Sequence, residues 1–234
     1  MVASAENRLT DDQLVAQVNT MIIAATDTTS NVLSRTLHVL SERLDVQDKI
    51  RQEISDARAN LGEDELTYDM LMELPWLDAI CRETLRLYTP AIELDRVVTR
   101  DTVLPLSRHV LDNKGNFIHK IPLAKGTNVT FSIYGYNRSK DVWGPDATEW
   151  KPERWFSPLP ESAKMMPNGT VYSNIMTFSA GKRACIGFKS AKFEMKLIFF
   201  YLVEASKFLP TDDDIFWNAS YVVYPSTLEN KRGR

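Results

Sequence analysis

The longest periodic segment of the chain is an apolar pattern that starts after Thr10 and continues to about residue 44. Thr10 and Gln13 form a T-x-x-Q capping box, which is typical of a helix start. Apolar side chains then recur at helical spacing, at Leu14, Val18, Met21, Ile22, Ala25, Val32, Leu33, Leu37 and Leu40. At 1.5 Å per residue such a helix is about 50 Å long, several times the average length. The pattern therefore predicts one long helix over 11–44.

Three further helices and a group of strands are predicted after this helix. The segments "VQDKIRQEISDARA" and "LPWLDAICRETLRLY" have helical spacing; "LGEDELTYDM" ends the first and Pro90 stops the second. Short alternating runs with interspersed Pro and Gly between about 92 and 135 predict strands and turns. The segment 137–180 has no clear period and is predicted to be a coiled surface segment held by aromatic residues. The last helix follows Cys185. We therefore predict a mainly α fold with small β-sheets.

Composition excludes several classes of protein. The 234 residues are 44% apolar, enough for a buried core in one domain or a large part of one. Twenty-eight basic and 31 acidic residues give a net charge of −3, which argues against nucleic acid as a partner. The longest apolar runs are far shorter than the roughly 20 residues of a membrane helix. With only two cysteines, Cys81 and Cys185, we expect a reducing compartment, and we expect Cys81 to pack in the core.

One cysteine lies in a loop with unusual chemistry, "FSAGKRACIG" at 178–187. Gly181 and Gly187 permit a tight turn, while the following helix start, Lys182 and Arg183 favour a thiolate over a thiol. Redox chemistry, nucleophilic catalysis and metal ligation all use such a sulfur. A nucleophile needs a nearby histidine, and the three in the chain, His38, His109 and His119, have no motif relation to the loop. Zinc would need companion Cys or His ligands, so a lone thiolate ligand requires a cofactor that supplies the other ligands.

The loop residues Phe178, Gly181, Arg183, Cys185 and Gly187 match the pattern F-x-x-G-x-R-x-C-x-G. This pattern resembles the haem-binding signature of the cytochrome P-450 superfamily. The resemblance implies that Cys185 is the axial thiolate ligand of haem b, iron protoporphyrin IX, and that the chain has a partial P-450 fold. That part would extend from the long central helix to the haem-binding loop and the helix after it.

Two more motifs resemble the family in the right order. "ETLR" places Glu83 and Arg86 one turn apart on a helix, and "PERW" provides Arg154. The resemblance implies a Glu83, Arg86 and Arg154 network that locks the haem-side scaffold. Trp155 stands where many relatives have Phe.

The stretch "AATDTTS" at 24–30 resembles the family's oxygen-activation motif. The resemblance implies that Asp27 and Thr28 lie over the iron and guide protons to bound dioxygen, because O–O cleavage consumes two protons while bulk water is kept out. Ala25 replaces the Gly that is common there. Because polar residues interrupt the apolar stripe and Thr is a poor helix former, we expect a local distortion of the helix.

Other positions are assigned by weaker analogy with the family. Arg96 and Arg183 correspond to residues that pair with the haem propionates. Substrate contacts are expected at Ala25, Thr29, Ala91, Ile92, Glu93, Leu94, Val222 and Val223. Lys182, Lys189, Lys192 and Lys196 lie on or near one predicted face, which could steer an acidic electron-donor protein or could be a solvated surface.

The resemblance implies that residues 1–234 are the C-terminal portion of a single cytochrome P-450 domain, with the N-terminal half and the last strand absent. The implied activity is a haem-thiolate monooxygenase that inserts one oxygen atom from O2 into a small organic substrate, with electrons from an NADPH-dependent reductase. Full-length relatives would lie at the cytoplasmic face of the endoplasmic reticulum membrane, through an anchor missing from this chain. We expect the chain alone to bind haem weakly and to turn over poorly.

Two alternatives remain. The first is a truncated, catalytically inactive haem-binding remnant. The second is a family member that rearranges peroxides, against which the Asp27 and Thr28 pair argues.

Overall fold

The computed structural model describes residues 8–61, 65–164, 170–172 and 174–227, apart from the side chain of Arg108. The described residues form two compact units, one from the described parts of 8–92 and 134–227 and one of residues 93–133. Eight α-helices lie in the described parts: α1 Asp11–Glu42, α2 Leu44–Leu61, α3 Tyr68–Glu73, α4 Pro75–Leu87, α5 Ile133–Asn137, α6 Lys140–Trp143, α7 Glu161–Lys164 and α8 Phe188–Ala205. Six strands accompany them: β1 Glu93–Val97, β2 Thr102–Leu111, β3 Phe117–Leu123, β4 Asn128–Ser132, β5 Phe216–Asn218 and β6 Tyr224–Ser226.

The long first helix starts as its capping box predicts. The Thr10 hydroxyl accepts from the Gln13 amide, and the Gln13 side chain accepts from the Thr10 amide. The helix ends at Glu42, where the Arg43 amide donates to the Val39 carbonyl. Its buried positions begin only at Thr29. Six apolar side chains before that point are 45–65% exposed: Leu14, Val15, Val18, Met21, Ile22 and Ile23. The predicted apolar stripe is therefore buried only in the second half of α1.

The core of the first unit lies among α1, α2, α4 and α8, which pack on one another in pairs. α4 is amphipathic and contributes Leu77, Ile80 and Leu85, which are almost fully buried. Phe199 and Phe200 of α8 are also fully buried. These four helices correspond to the four helical patterns of the sequence, because an apolar face at helical spacing must be buried against another element.

Two local features depend on contacts that the pattern does not reveal. Within the segment predicted only to end α2, Thr67 caps the short helix α3 by accepting from the Met70 amide. α4 has no side-chain cap from its own N-cap residue, Leu74. Glu53 of α2 instead accepts from the amides of Trp76 and Leu77 at 2.7 and 3.0 Å. A carboxylate from another helix therefore satisfies the free N–H groups at the start of α4.

The segment 137–180 differs from the predicted coiled surface. It contains α6, α7 and a 3-10 turn over Pro152–Phe156. Trp143 and Ala147 are almost fully buried and belong to the main hydrophobic core. Aromatic residues such as Trp143 therefore anchor the described part of this segment in the core, although many of its other residues are exposed.

The strands form three separate antiparallel pairs. β1 pairs with β4 so that Glu93 lies opposite Ser132, and β2 pairs with β3 with a register shift between Pro105 and Val110. β5 pairs with β6 near the end of the described chain. The prediction of a mainly helical fold with small sheets is confirmed. Among the described residues, no helix is both long and apolar enough to cross a bilayer.

Replacing Gln47 by Met should destabilise the chain by about 2–3 kcal/mol, because buried polar groups would lose their partners. Gln47 is fully buried; its Nε2 donates to the carbonyls of Leu40 and Phe208, and its Oε1 accepts from the Phe208 amide. The measurement is the free energy of unfolding in urea. The matched control is Gln52→Met on the same helix, since Gln52 is exposed and bonds only to Asp56. Equal losses in both variants would contradict this account.

Candidate functional site

The loop that carries Cys185 is held by its own backbone. The Cys185 amide donates to the Phe178 carbonyl at 2.9 Å, and the Ala184 amide donates to the Gly181 carbonyl at 3.1 Å. Gly181 has φ +64° and Ser179 has φ +60°. Positive φ is easy for Gly181 but strained for Ser179. The loop is therefore a tight turn whose conformation is fixed before any ligand is considered.

The Cys185 side chain lies at the surface of the described structure. Its neighbour Ile186 is 94% exposed. A Cβ atom added at Gly187 would lie 4.0 Å from the Cys185 sulfur, an ordinary contact distance, so this glycine leaves the sulfur uncrowded. Phe178 at the start of the loop is buried and has ring contacts with Tyr172 and Phe188. The loop thus has a packed base and an accessible thiol.

The donor set at this thiol fits a metal that brings its other ligands with it. Among the described residues, no group of three or more His, Cys, Asp or Glu side chains could hold a metal ion. A bare zinc ion would need such companions. An iron porphyrin needs one axial protein ligand and an open face beside it. An exposed, single sulfur on a rigid turn meets those requirements.

Glu83, Arg86 and Arg154 lie together. Glu83 and Arg86 are both 0% exposed. Two guanidinium nitrogens of Arg86 donate to the two Glu83 oxygens at 2.9 and 2.8 Å, and Arg154 Nε lies 3.4 Å from Glu83 Oε1. The Lys151 amide and Trp155 Nε1 also donate to this carboxylate, at 2.9 and 3.1 Å. The carboxylate is therefore saturated with donors, as a buried charge requires.

The arginines extend the network into the segment 137–156. Arg86 donates to the carbonyls of Asn137, Ala147 and Glu149 at 2.6–3.1 Å. Arg154 donates to Asp146 Oδ1 at 2.8 Å. Sequence reasoning missed Asp146, and it noted Trp155 only as standing where many relatives have Phe, although the indole N–H supplies a bond that Phe lacks. The indole N–H of Trp155, which Phe lacks, is the sequence feature that could have revealed this bond to Glu83.

The stretch "AATDTTS" lies inside α1 without interrupting it. The Thr28 hydroxyl donates to the Ala24 carbonyl at 2.8 Å, and the Asn31 amide group donates to the Asp27 carbonyl at 2.8 Å. The stretch is not interrupted, because side-chain bonds back to the preceding turn let these polar residues stay helical; since such bonds often bend a helix, the local distortion stays a prediction. Asp27 and Ala25 are exposed, Thr28 is partly buried and Thr29 is buried.

Two predicted substrate segments of the first unit come together. The Val223 amide donates to the Pro90 carbonyl at 2.9 Å, which brings the Val222–Val223 segment beside Ala91. Ala91 and Ile92 are partly buried, and the Thr89 hydroxyl donates to the Ala91 carbonyl.

Glu93, Leu94 and Arg96 belong to β1 in the second unit. There the exposed Arg96 lies opposite Val129 and donates to the Asp95 carbonyl at 2.7 Å. Arg183 is exposed in the Cys185 loop of the first unit.

The part of the chain that carries the Cys185 loop, the Glu83 network and α1 is similar to known proteins. The family model for cytochrome P450 matches residues 1–219. This chain belongs to the cytochrome P450 family. It is 47% identical over 226 residues to cytochrome P450 monooxygenase 91 of Postia placenta, covering 97% of the chain and 41% of that relative. It is 46% identical over 224 residues to the ganoderic acid synthetase CYP5150L8 of Ganoderma lucidum, covering 95% and 41%.

A solved structure resembles the fold. The crystal structure of a cytochrome P450 (CYP102L1) has a TM-score of 0.73 and 24% identity, covering 94% of this chain and 45% of that one. The chain thus spans about two fifths of the length of the curated P450 relatives that it matches.

The four lysines predicted on one face of this P450 chain differ in exposure. Lys182 and Lys189 are exposed, but Lys196 is fully buried. Lys196 Nζ lies 2.8 Å from Asp78 Oδ1 and donates to the Met72 carbonyl, while Lys192 Nζ lies 3.3 Å from Asp78 Oδ1. The prediction of one solvated basic face is wrong for these two residues. Asp78 of α4 turns them inward, a partner that spacing along α8 does not reveal.

Asp78 is one carboxylate among three cations, since Arg82 Nε also lies 2.5 Å from its Oδ2. Burial acts to raise the pKa of Asp78, but Lys196, Arg82 and Lys192 together hold it below its ordinary value. Burial lowers the pKa of Lys196, and the bond to Asp78 opposes that shift. The ionised Asp78 therefore stabilises the packing of α4 against α8.

Replacing Glu83 by Gln should destabilise the P450 chain by about 3 kcal/mol or more, because two guanidinium groups would lose their buried counter-charge. Urea unfolding measures this. The matched control is Glu204→Gln, which breaks a bidentate pair with Arg58 that is about one-third exposed. Such a pair should be worth less than about 1 kcal/mol. A loss from Glu83→Gln as small as the control would refute the assignment.

Replacing Asp78 by Asn should cost about 2 kcal/mol at neutral pH and remove an acid-dependent part of the stability. A lowered folded pKa means that the carboxylate contributes fully above its unfolded value near 3.8 and less as the pH falls through its folded value. The difference in unfolding free energy between the two proteins should stay constant from pH 7 to about pH 4 and shrink as the pH falls below 3.8. The exposed Asp48→Asn serves as control. A difference that grows as the pH falls would show the wrong sign.

Proposed function

We propose that this chain carries the thiolate-ligand part of a haem-thiolate monooxygenase that inserts one oxygen atom from O2 into a small organic substrate. The observation that supports it most is the exposed Cys185 sulfur, which has no companion metal ligands in the described part of the chain and lies on a fixed turn within the family's signature. The relatives are named monooxygenases, which supports the general class.

Cys185 would hold the iron of haem b, and Arg183 and Arg96 would pair with its propionates. When bound, the haem would supply the iron at which dioxygen is reduced and one oxygen atom passes to the substrate. The chain supplies an anionic sulfur on a turn that is held by the Phe178 carbonyl. Because the Cys185 amide is used in that bond, the backbone from which the sulfur projects is held in place.

Asp27 and Thr28 would manage protons. The Thr28 hydroxyl proton is engaged with the Ala24 carbonyl, which leaves the oxygen lone pairs free to accept a hydrogen bond. Asp27 is exposed, so water can reach its carboxylate. An acid and an alcohol on neighbouring residues suit a reaction that consumes two protons.

The remaining assignments follow the same proposal. Ala25, Thr29, Ala91 to Leu94, Val222 and Val223 would contact substrate. Electrons would come from an NADPH-dependent reductase, for which the exposed cations Lys182 and Lys189 offer a docking charge at the thiolate loop. Lys192 and Lys196 are removed from that surface, because both are bound to Asp78.

A catalytically inactive haem-binding chain is the second candidate. The observation that favours it is the exposure of six apolar side chains on α1, just before Asp27 and Thr28. Water would reach a site beside that surface and would compete with ordered proton delivery. Haem binding without substrate oxidation would distinguish this candidate from the monooxygenase.

The test is the absorption spectrum of the reduced carbon monoxide complex of the haem-loaded protein. The unmodified protein should give the thiolate spectrum, and Cys185→Ser should lose it. Cys81→Ser is the matched control and should keep it, since burial raises the pKa of Cys81 to about 12 and holds that sulfur as a neutral thiol. Loss of the thiolate spectrum in Cys81→Ser alone, or its survival in Cys185→Ser, would overturn the assignment.

A further inference from the structure

Two arginines of the first unit lie over one aromatic ring. The guanidinium carbon of Arg35, on α1, lies 3.9 Å from the centre of the Tyr88 ring, and that of Arg138, after α5, lies 5.7 Å from it. Both side chains are partly buried. The Nε atom of each is buried and has no hydrogen-bond partner in the described structure. Two like charges therefore share one site, and because the Nε atoms are buried, a ligand would have to bind the terminal nitrogens of each guanidinium.

Neither guanidinium has a counter-charge in contact. No carboxylate of the described residues forms an ion pair with Arg35 or Arg138, in contrast to Arg86 and Arg154 in the Glu83 network. Glu42 is the smallest of the named influences on the pKa of Arg35. The Glu42 Oε1 atom instead lies 3.5 Å from His38 Nε2.

The lowered pKa of Arg35 shows that its positive charge is costly in this site. Burial is the main cause that lowers its pKa; Tyr88 opposes the shift and the charge of Arg138 adds to it. Cations that are partly desolvated and adjacent to each other are costly unless an anion joins them. The site therefore favours an anionic ligand that can accept hydrogen bonds from both arginines.

The walls of the site are aromatic. The Arg35 guanidinium carbon lies 4.4 Å from the Trp217 ring centre, so Trp217 and Tyr88 both hold it by cation–π contact. Trp217 is fixed in turn by His38, whose Nδ1 accepts from the indole N–H at 3.1 Å. Arg138 lies 4.3 Å from the Tyr134 ring and donates to its hydroxyl. The guanidinium groups of Arg35 and Arg138 are thus held in place before a ligand binds, which reduces the entropy lost on binding.

We propose that Arg35 and Arg138 form a binding site for the carboxylate group of an organic acid with an apolar body. A carboxylate matches the planar guanidinium fork in two parallel hydrogen bonds. The rings of Tyr88, Trp217 and Tyr134 offer apolar surface for the rest of such a ligand, which inorganic phosphate would leave unused. The inference does not depend on haem or on the proposed oxidation, because it concerns a separate set of side chains.

The experiment is isothermal titration calorimetry of the full 234-residue chain with benzoate, benzyl alcohol and inorganic phosphate. Benzoate should bind at least about tenfold more tightly than either of the other two, since only it offers both a carboxylate and a ring. Arg35→Gln and Arg138→Gln should each weaken benzoate binding by about tenfold or more. Arg100→Gln removes an exposed arginine of the other unit and should leave binding unchanged.

Four outcomes would overturn the proposal: no benzoate binding at millimolar concentration, phosphate binding as tight as benzoate, benzyl alcohol binding as tight as benzoate, or unchanged benzoate binding in both variants. Circular dichroism melts check that each variant is folded. Arg138→Gln lies outside the long helix and keeps the test decisive if Arg35→Gln does not fold. Because no haem is added, a negative result here leaves the carbon monoxide spectrum of the Cys185 variants as an independent test.

Discussion

The buried carboxylate of Glu83 is the constraint on which the arrangement of the first unit depends. A fully buried carboxylate is tolerated only when hydrogen-bond donors fill its acceptor positions. Five donors contact the Glu83 carboxylate, so α4 packs where all of them are available. Those donors come from α4 itself and from Lys151, Arg154 and Trp155. The carbonyls that Arg86 contacts then fix the segment from Asn137 to Glu149. One ionised group thus converts an irregular segment into part of the core.

The four long helices were predictable because each carries an apolar face at helical spacing, and periodicity is a local property of the chain. The contacts that place them were not. Gln47 bonds to Phe208 across 161 positions, and Glu53 caps a helix 23 positions later. No local pattern marks a polar residue whose partner is that far away. The same limit explains why the sequence predicts only the end of α2 where α3 lies. α3 has just 6 residues, with Thr67 as its cap, which is too short for a helical pattern to be recognised.

The lysines of α8 illustrate how spacing alone misleads. Lys189 and Lys196 are seven residues apart and share one side of a helix, yet one is exposed and the other is fully buried. The difference is Asp78, which compensates the desolvation of Lys196 with an ion pair. A helix face is not uniform along its length, because its neighbours change from turn to turn. Charge at the thiolate loop is therefore confined to residues on or next to that loop.

The two cysteines show how the fold assigns chemistry to identical side chains. Cys81 lies in the core on α4, where burial disfavours its thiolate and leaves a neutral packing group. Cys185 lies on a turn that contains Ser179 at positive φ, a conformation that costs energy in a residue with a Cβ. Packing of Phe178 against Tyr172 and Phe188 can offset that cost. The sulfur stays accessible because backbone bonds within the loop hold the turn, while Phe178 at its base packs on the core.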